Sequence, residues 1–117
     1  MINYGRQYLD HSDFKQTIKS LKSNLITQGD QVNNFEKALR KKFLSKFSLV
    51  TSSGTASLHL ISQSINLKKN DVVLVTAMTF VATANAPFYE KCKIDLVDID
   101  FDTGCISINS LEKKIKD

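Results

Sequence analysis

At residues 51–60 the chain reads Thr51-Ser52-Ser53-Gly54-Thr55-Ala56-Ser57-Leu58-His59-Leu60. This stretch follows a short apolar run and opens a helical pattern, which predicts a strand that breaks into a helix. Gly54 lets the backbone approach an anion, and the hydroxyls of Ser53 and Thr55 can donate hydrogen bonds to its oxygens. The free N–H groups and the positive dipole end of the helix add to that attraction. The stretch therefore predicts a phosphate-binding turn, although the same residue types also favour helix N-caps for purely structural reasons.

The size and composition of the chain are those of a small globular protein. Its 117 residues suffice for at most one domain, and 42% hydrophobic with 24% charged residues is an ordinary balance. No apolar run approaches the roughly 20 residues that a membrane span requires. The N-terminal residues lack the basic and then apolar order of a secretory signal, so a cytoplasmic location is expected.

The cysteines and histidines form no recognisable metal site. Cys92 and Cys105 belong to no C-x-x-C pair, and His11 and His59 complete no metal-ligand spacing. We therefore expect two reduced thiols and no metal. Cys92 has no histidine near it in sequence to act as the base that a nucleophile needs. His59 lies inside the predicted helix and is assigned a structural role.

The net charge of +4 raises the question of nucleic-acid binding. The basic residues form only modest clusters, near predicted helix ends or in the loops after them, where solvation explains them. A nucleic-acid-binding protein would carry a stronger excess, with aromatic residues interleaved. We therefore expect no nucleic-acid partner, and a mild positive field would still favour a phosphorylated ligand.

Residues 1–46 are predicted to form a helical segment. Phe14, Ile18, Leu21 and Leu25 form one helical stripe, for which Asp10, Ser12 or Asp13 can provide the cap. A turn is expected at Thr27-Gln28-Gly29-Asp30, followed by a helix from about Val32 to Leu44. Both apolar stripes are expected to face a core.

Residues 47–117 are predicted to alternate strands and helices. Strands are expected at Phe47 to Thr51, Asp71 to Val75 and Ile94 to Ile99, and helices at Thr55 to Ile65, Thr79 to Lys91 and Leu111 to Lys116, the last capped by Asn109 or Ser110. Alternation of this kind with β-branched strands predicts an α/β fold with a parallel sheet wrapped by helices. Three strands would leave two open sheet edges, and the last helix has barely begun at Asp117. The sequence is therefore expected to be the front of a larger domain.

Three segments together resemble one protein family. They are Leu25-Ile26-Thr27-Gln28-Gly29 followed by Phe35-Glu36, the turn Ser53-Gly54-Thr55-Ala56-Ser57-Leu58-His59-Leu60, and Thr79-Phe80-Val81-Ala82-Thr83-Ala84-Asn85-Ala86. The chain resembles, from about Ile2 to Ile115, the N-terminal part of the DegT/DnrJ/EryC1/StrS sugar aminotransferases. That resemblance implies a fold type I pyridoxal-phosphate enzyme, of which this chain is an incomplete large domain.

The resemblance implies a role for each segment. Ser53, Gly54, Thr55 and Ala56 would hold the phosphate of pyridoxal 5'-phosphate, and Phe80 would lie against its ring. Tyr4, Asn24, Leu25, Ile26 and Thr27 would line a nucleotide-sugar pocket. The plain structural alternatives are a core phenylalanine at position 80, an N-terminal tail at Tyr4, and a helix C-terminus at residues 24–27.

The implied reaction moves an amino group, with glutamate as the expected donor, to a UDP-linked 4-keto-6-deoxy sugar. The opening Tyr4-Gly5-Arg6-Gln7 resembles the branch of the family that serves pseudaminic acid biosynthesis for surface or flagellar glycans. The resemblance also implies a homodimer when full length, and a Schiff-base lysine that lies beyond position 117. The alternative is a non-catalytic remnant that binds a nucleotide sugar or a protein partner.

Overall fold

The computed structural model describes residues 5–116, in which the backbone forms five helices and two strands. In chain order these are α1 (His11–Leu21), α2 (Asp30–Phe43), α3 (Gly54–Ser64), β1 (Val72–Thr76), α4 (Ala82–Tyr89), β2 (Lys93–Val97) and α5 (Ile108–Lys116). The expected α/β class, with parallel strands alternating with helices, is confirmed. The chain divides after Val50 into two compact units, whereas the sequence suggested a boundary after residue 46.

The first unit begins with a helix that its own side chains cap. Asp10 is the N-cap of α1, and its carboxylate accepts hydrogen bonds from the N–H groups of Ser12 (2.7 Å) and Asp13 (3.3 Å). The Asp13 carboxylate accepts in return from the Asp10 N–H at 2.9 Å, which completes a capping box. The helix ends at Leu21, so the prediction that Leu25 belongs to its stripe is wrong. Ser23 explains the early stop, because its N–H (3.1 Å) and hydroxyl (2.6 Å) both donate to the Ser20 carbonyl.

Helix α2 starts two residues before the expected Val32, and the turn that leads into the helix depends on a glycine. Gly29 is the N-cap, and a Cβ added there would collide with the carbonyl oxygen of Leu25. The chain can therefore turn tightly into α2 only with glycine at this position. At the other end Leu44 adopts a left-handed conformation with φ of 51°, which stops the helix.

The expectation that the two apolar stripes of the first unit face a core is wrong for the described residues. No residue of α1 or α2 is buried. The side chains of Phe14, Ile18 and Phe35 remain 54%, 54% and 53% exposed. An amphipathic pattern fixes which face of a helix is apolar, but burial also requires an apolar surface opposite that face.

The second unit contains a small core around a parallel strand pair. Strands β1 and β2 run parallel, with Val72 opposite Lys93 and Thr76 opposite Val97, and α4 connects them. The buried apolar side chains are those of Val75, Ala82, Ala86, Cys92 and Val97. Because α4 supplies two of them, this helix packs directly on the strand pair.

The predicted strand from Phe47 to Thr51 is wrong, and within residues 5–116 the sheet has two strands rather than three. A strand needs a hydrogen-bonded neighbour along its length. The N–H of Val50 instead donates to the Glu36 carboxylate at 3.0 Å. The strand expected to run to Ile99 ends at Val97, and Ile99 forms only an isolated antiparallel bridge with Ile106.

Two helix boundaries also differ from the expectation. Helix α4 begins at Ala82 rather than Thr79, and it ends at Tyr89, before Lys91 adopts a left-handed φ of 63°. Helix α5 begins at Ile108, and the hydroxyl of Ser107 accepts from the Ser110 N–H at 3.3 Å. The cap is therefore Ser107 rather than Asn109 or Ser110.

Candidate functional site

The turn at the start of α3 has the geometry of an N-terminal anion site. Ser53 is extended (φ −162°, ψ 162°), and its hydroxyl oxygen accepts from the Ala56 N–H at 3.1 Å. The Ser53 carbonyl accepts from the Ser57 N–H at 3.1 Å. Within residues 5–116 the N–H groups of Gly54 and Thr55 donate to no protein acceptor. These two N–H groups, at the positive end of the helix dipole, are the groups that can bind an anion.

The space beside Gly54 is open. A Cβ placed on this residue would meet no atom within 4 Å, apart from its chain neighbours and the backbone of its own helix. Packing inside the described part of the chain therefore does not require glycine here. A larger side chain would project into the volume next to the two available N–H groups, which is where a bound phosphate would lie.

Two further hydroxyls hold the turn in shape. The Thr51 hydroxyl donates to the Ser53 carbonyl at 2.8 Å and lies 2.5 Å from the Ser57 hydroxyl. Because the single Thr51 proton is used on the carbonyl, Ser57 must be the donor in the second bond. Sequence reasoning missed both roles, although hydroxyl residues on either side of the Ser-Gly-Thr turn were the available signal.

A surface pocket of about 480 Å³ joins this turn to Phe80. It is lined by Gly54, Thr55, Ser57, Leu58, Phe80, Ala82 and Thr83. The structure thus brings together Gly54, Thr55 and Phe80, while Ser53 and Ala56 flank the turn without lining the pocket. Within the described residues Phe80 is not part of the core, because its side chain is 74% exposed.

The pocket lies at the carboxyl end of strand β1. The Ala77 N–H donates to the Val97 carbonyl at 2.8 Å, which continues the strand pairing one residue towards Phe80. In open α/β sheets ligands bind beyond the carboxyl ends of the strands. At this edge the Thr76 hydroxyl oxygen is buried and has no hydrogen-bond partner in the described residues. An unpartnered polar atom of this kind is usually met by water or a ligand.

The charge of a phosphate in this pocket would be balanced by backbone groups. None of the seven lining residues carries an ionisable side chain. The N–H groups of Gly54 and Thr55, with the dipole of α3, are therefore the positive groups that the pocket offers. The apolar faces of Leu58, Phe80 and Ala82 suit the flat body of a heteroaromatic ring.

The predicted substrate residues lie in the first unit. Leu25 and Ile26 line a pocket of about 310 Å³, and Asn24 and Leu25 line a second of about 460 Å³. The second is mainly polar, lined by Lys19, Ser23, Asn24, Leu25, Gln28, Gly29, Asp30, Gln31 and Asn34. Thr27 lines neither pocket, and Tyr4 lies outside the described residues.

The remaining candidate groups offer no second reactive site. Both cysteines are free, as expected. Burial, with smaller contributions from the charges of Asp71 and Glu90, raises the pKa of the Cys92 thiol, which makes it a poor nucleophile. In residues 5–116 no three His, Cys, Asp or Glu side chains are grouped as a metal ion would require. Nor does that part of the chain contain a helix with the length and hydropathy of a membrane span.

The model of the DegT/DnrJ/EryC1/StrS aminotransferase family matches residues 7–117. The chain belongs to this family. A DegT/DnrJ/EryC1/StrS relative from Campylobacter jejuni, a UDP-4-amino-4,6-dideoxy-N-acetyl-beta-L-altrosamine transaminase, is 37% identical over 115 residues, which are 98% of this chain and 30% of the relative.

Solved structures of sugar-modifying enzymes agree with this assignment. An E. coli GDP-4-keto-6-deoxy-D-mannose-3-dehydratase with bound hydrated PLP matches with a TM-score of 0.86 at 30% identity, over 97% of this chain and 31% of that one. Helicobacter pylori PseC, an aminotransferase in pseudoaminic acid biosynthesis, matches with a TM-score of 0.83 at 31% identity, over 95% of this chain and 30% of that one. The chain thus spans about 30% of the length of the family members that it matches.

Proposed function

We propose that the protein carrying this chain is a pyridoxal-phosphate-dependent aminotransferase acting on a UDP-linked 4-keto-6-deoxy sugar. The pocket that joins Gly54 and Thr55 to Phe80 is the observation that carries this proposal. Family membership and the transaminase from Campylobacter jejuni support it. The reaction transfers the amino group of glutamate to the 4-keto carbon and releases 2-oxoglutarate, in the production of a pseudaminic-acid-type sugar.

In this proposal the residues of the second unit hold the cofactor. The N–H groups of Gly54 and Thr55 bind the phosphate, the hydroxyl groups of Ser53 and Thr55 add donors, and Phe80 stacks on the ring. Ser53 can fill this role while it accepts from the Ala56 N–H, because a hydroxyl accepts and donates at the same time. Ala56 therefore contributes through the position of its backbone. When bound, pyridoxal phosphate supplies an electron sink for the exchange of the amino group.

Residues of the first unit bind the sugar nucleotide in this proposal. The pocket beside Asn24 and Leu25 offers amide and hydroxyl groups and the ammonium of Lys19, which suit a phosphorylated and hydroxyl-rich ligand. The resemblance assigns Ile26, Thr27 and Tyr4 to substrate binding as well. Support comes from the resemblance of this segment to the family pattern and from the polar lining of the pocket.

The lysine that binds the cofactor covalently lies outside residues 1–117 in this proposal, and the complete protein is a homodimer. Borohydride reduction of the natural protein with its cofactor, followed by peptide mass spectrometry, locates that lysine. An adduct on a lysine beyond residue 117 is expected. A stoichiometric adduct on one lysine within the chain would contradict this part of the proposal, and a monomer by light scattering would contradict the dimer.

The function is tested by supplying the natural protein with pyridoxal phosphate, glutamate and a UDP-linked 4-keto-6-deoxy sugar. Formation of 2-oxoglutarate is expected, and its loss in Gly54→Val ties the activity to the turn at α3. A protein that binds the cofactor but forms no 2-oxoglutarate with any nucleotide sugar would contradict the proposal. If its native mass is also near 13.2 kDa, a binding remnant becomes the better interpretation. The exposed apolar stripes of α1 and α2 would then be available to a protein partner.

A further inference from the structure

One ionisable pair in the second unit lies outside the pocket but joins the helices that form it. His59 Nε2 on α3 is 2.8 Å from Glu90 Oε1, and Glu90 is the residue that caps the C-terminus of α4. The two side chains are 38% and 21% exposed, so water only partly competes with their hydrogen bond. Sequence reasoning gave His59 a purely structural role.

A second contact fixes the orientation of the imidazole. The Tyr89 ring packs edge-on against it, with ring centroids 5.2 Å apart and planes at 67°. Such edge-to-face pairs are favourable because the ring edge is positive and the ring face negative. The His59 side chain is therefore held by the last residue of α4 and by the residue that caps it.

The same two helices form much of the proposed cofactor pocket. Gly54, Thr55 and Leu58 of α3 lie on one side, and Ala82 and Thr83 of α4 lie on another, with Phe80 just before α4. Because His59 directly follows Leu58, a change in the packing of α3 on α4 changes the spacing between the phosphate turn and Phe80.

We propose that the His59–Glu90 pair is a positioning element for the cofactor site. The pair holds the N-terminal turn of α3 at the distance from Phe80 that lets one ligand bind through its phosphate and its ring together. This inference rests on the function proposed above. It assigns His59 and Glu90 no contact with the cofactor.

If the pair has a positioning role, its loss should affect the binding of some ligands and not of others; if its role is purely structural, its loss should not distinguish between ligands. Inorganic phosphate needs only the donors of Ser53, Gly54 and Thr55, which lie together at the N-terminus of α3. Pyridoxamine phosphate needs those groups and Phe80 at once. Loss of the pair should therefore weaken the binding of pyridoxamine phosphate and leave that of inorganic phosphate unchanged, whereas general destabilisation would affect both or neither.

The test measures the Kd of both ligands on the natural protein by calorimetry, below the melting temperature of every variant. His59→Phe keeps an aromatic ring against Tyr89, and Glu90→Ala removes the acceptor. Each is expected to weaken pyridoxamine phosphate binding about 5- to 10-fold, which is the scale of one ordinary hydrogen bond. The affinity for inorganic phosphate is expected to change less than about twofold, a difference worth less than one such hydrogen bond.

Two controls complete the design. Glu90→Gln retains an acceptor and should bind both ligands like the wild type. Lys114→Met removes a different ion pair of this unit, in which Lys114 Nζ lies 2.5 Å from Asp95 Oδ1, and should also leave both affinities unchanged. This second control distinguishes a positioning effect from the loss of any ion pair.

The outcomes separate this inference from the proposed function. If Gly54→Val alters the binding of neither ligand, the proposed function fails. Suppose that Gly54→Val weakens the binding of both ligands. If either His59→Phe or Glu90→Ala then binds pyridoxamine phosphate as tightly as the wild type, the positioning role is overturned. The positioning role is also overturned if His59→Phe and Glu90→Ala weaken the binding of inorganic phosphate as much as that of pyridoxamine phosphate.

Discussion

The two units of this chain achieve order by different means. In the second unit Val97 is completely buried, and the turn at the start of α3 is held by hydrogen bonds in which the hydroxyls of Thr51 and Ser57 donate and the hydroxyl of Ser53 accepts. In the first unit no residue of either helix is buried, and local contacts such as the capping box of Asp10 fix the helix ends. Local hydrogen bonds can therefore define a helix without a core, while burial depends on a facing surface.

This difference bears on the proposed site. The residues proposed to bind the cofactor lie in the unit that has its own core, and the N–H groups of Gly54 and Thr55 share one pocket with the Phe80 ring. The residues proposed to bind the substrate lie in the other unit, whose two helices leave their apolar stripes exposed. We therefore expect cofactor binding to respond to single substitutions in the second unit, and stability to respond little to truncations on the stripes of the first.

The largest expected effect is that of Gly54→Val on cofactor binding. The new side chain enters the open space beside the two available N–H groups and excludes the phosphate. Loss of one or two charge-assisted hydrogen bonds corresponds to roughly 1.5–3 kcal/mol each, so the affinity for pyridoxamine phosphate should fall about 100-fold. Titration calorimetry measures this fall.

The matched control for that prediction is Gly5→Val in the first unit. A Cβ at Gly5 also meets no atom within 4 Å, so both substitutions extend into open space. The Gly5 variant should keep the cofactor affinity of the wild type. Equal affinities for the two variants would place the cofactor elsewhere.

A smaller effect is expected on stability, where truncating a side chain of the second unit should cost more than truncating one of the first. Val97→Ala removes two methyl groups from a completely buried site and should lower the free energy of unfolding by about 2 kcal/mol. Ile18→Ala truncates a side chain that is 54% exposed and should change it by less than about 0.5 kcal/mol. Urea denaturation of both variants, followed by circular dichroism, makes the comparison. Similar losses would mean that the α1 stripe is packed in solution.

The smallest expected effect is a dependence of the helicity of α1 on pH. Hydrogen bonds from the Ser12 side chain and from the N–H groups of Ser12 and Asp13 lower the pKa of Asp10 below its ordinary value. The charged Asp10 carboxylate therefore stabilises α1 fully at pH values above about 3.9, which is its pKa in the unfolded chain. This stabilisation is lost as the pH falls through the lower pKa that Asp10 has in the folded chain. Circular dichroism between pH 6 and pH 2 should show the loss of α1 helicity at the acidic end.

Asp10→Asn tests the assignment of that transition. Asparagine caps helices about as well as aspartate but does not titrate in this range. The variant should keep α1 helicity to lower pH than the wild type. An unchanged acid transition would mean that the Asp10 carboxylate is not the group whose protonation is observed.

Local chemistry made part of this structure predictable from sequence. The N-caps Ser53 and Asp10 bond to groups within three positions of themselves, so the local sequence contains all the groups involved. The order of helices and parallel strands after Gly54 followed from periodicity, which a helix or a buried strand imposes on its own residues.

Features that depend on distant partners were predicted poorly. Phe47 to Thr51 has strand-like composition, but whether such a segment becomes a strand depends on a neighbouring strand rather than on its own residues. The bond between His59 and Glu90 joins residues 31 positions apart and leaves no local pattern. The stripes of α1 and α2 likewise show an apolar face without showing what lies opposite.

The most direct test of the central claim is a crystal structure of the natural protein with pyridoxamine phosphate. The account predicts phosphate oxygens at about 2.9 Å from the N–H nitrogens of Gly54 and Thr55, with the ring stacked on Phe80. A ligand bound with both N–H groups uncontacted, or with its ring away from Phe80, would contradict it.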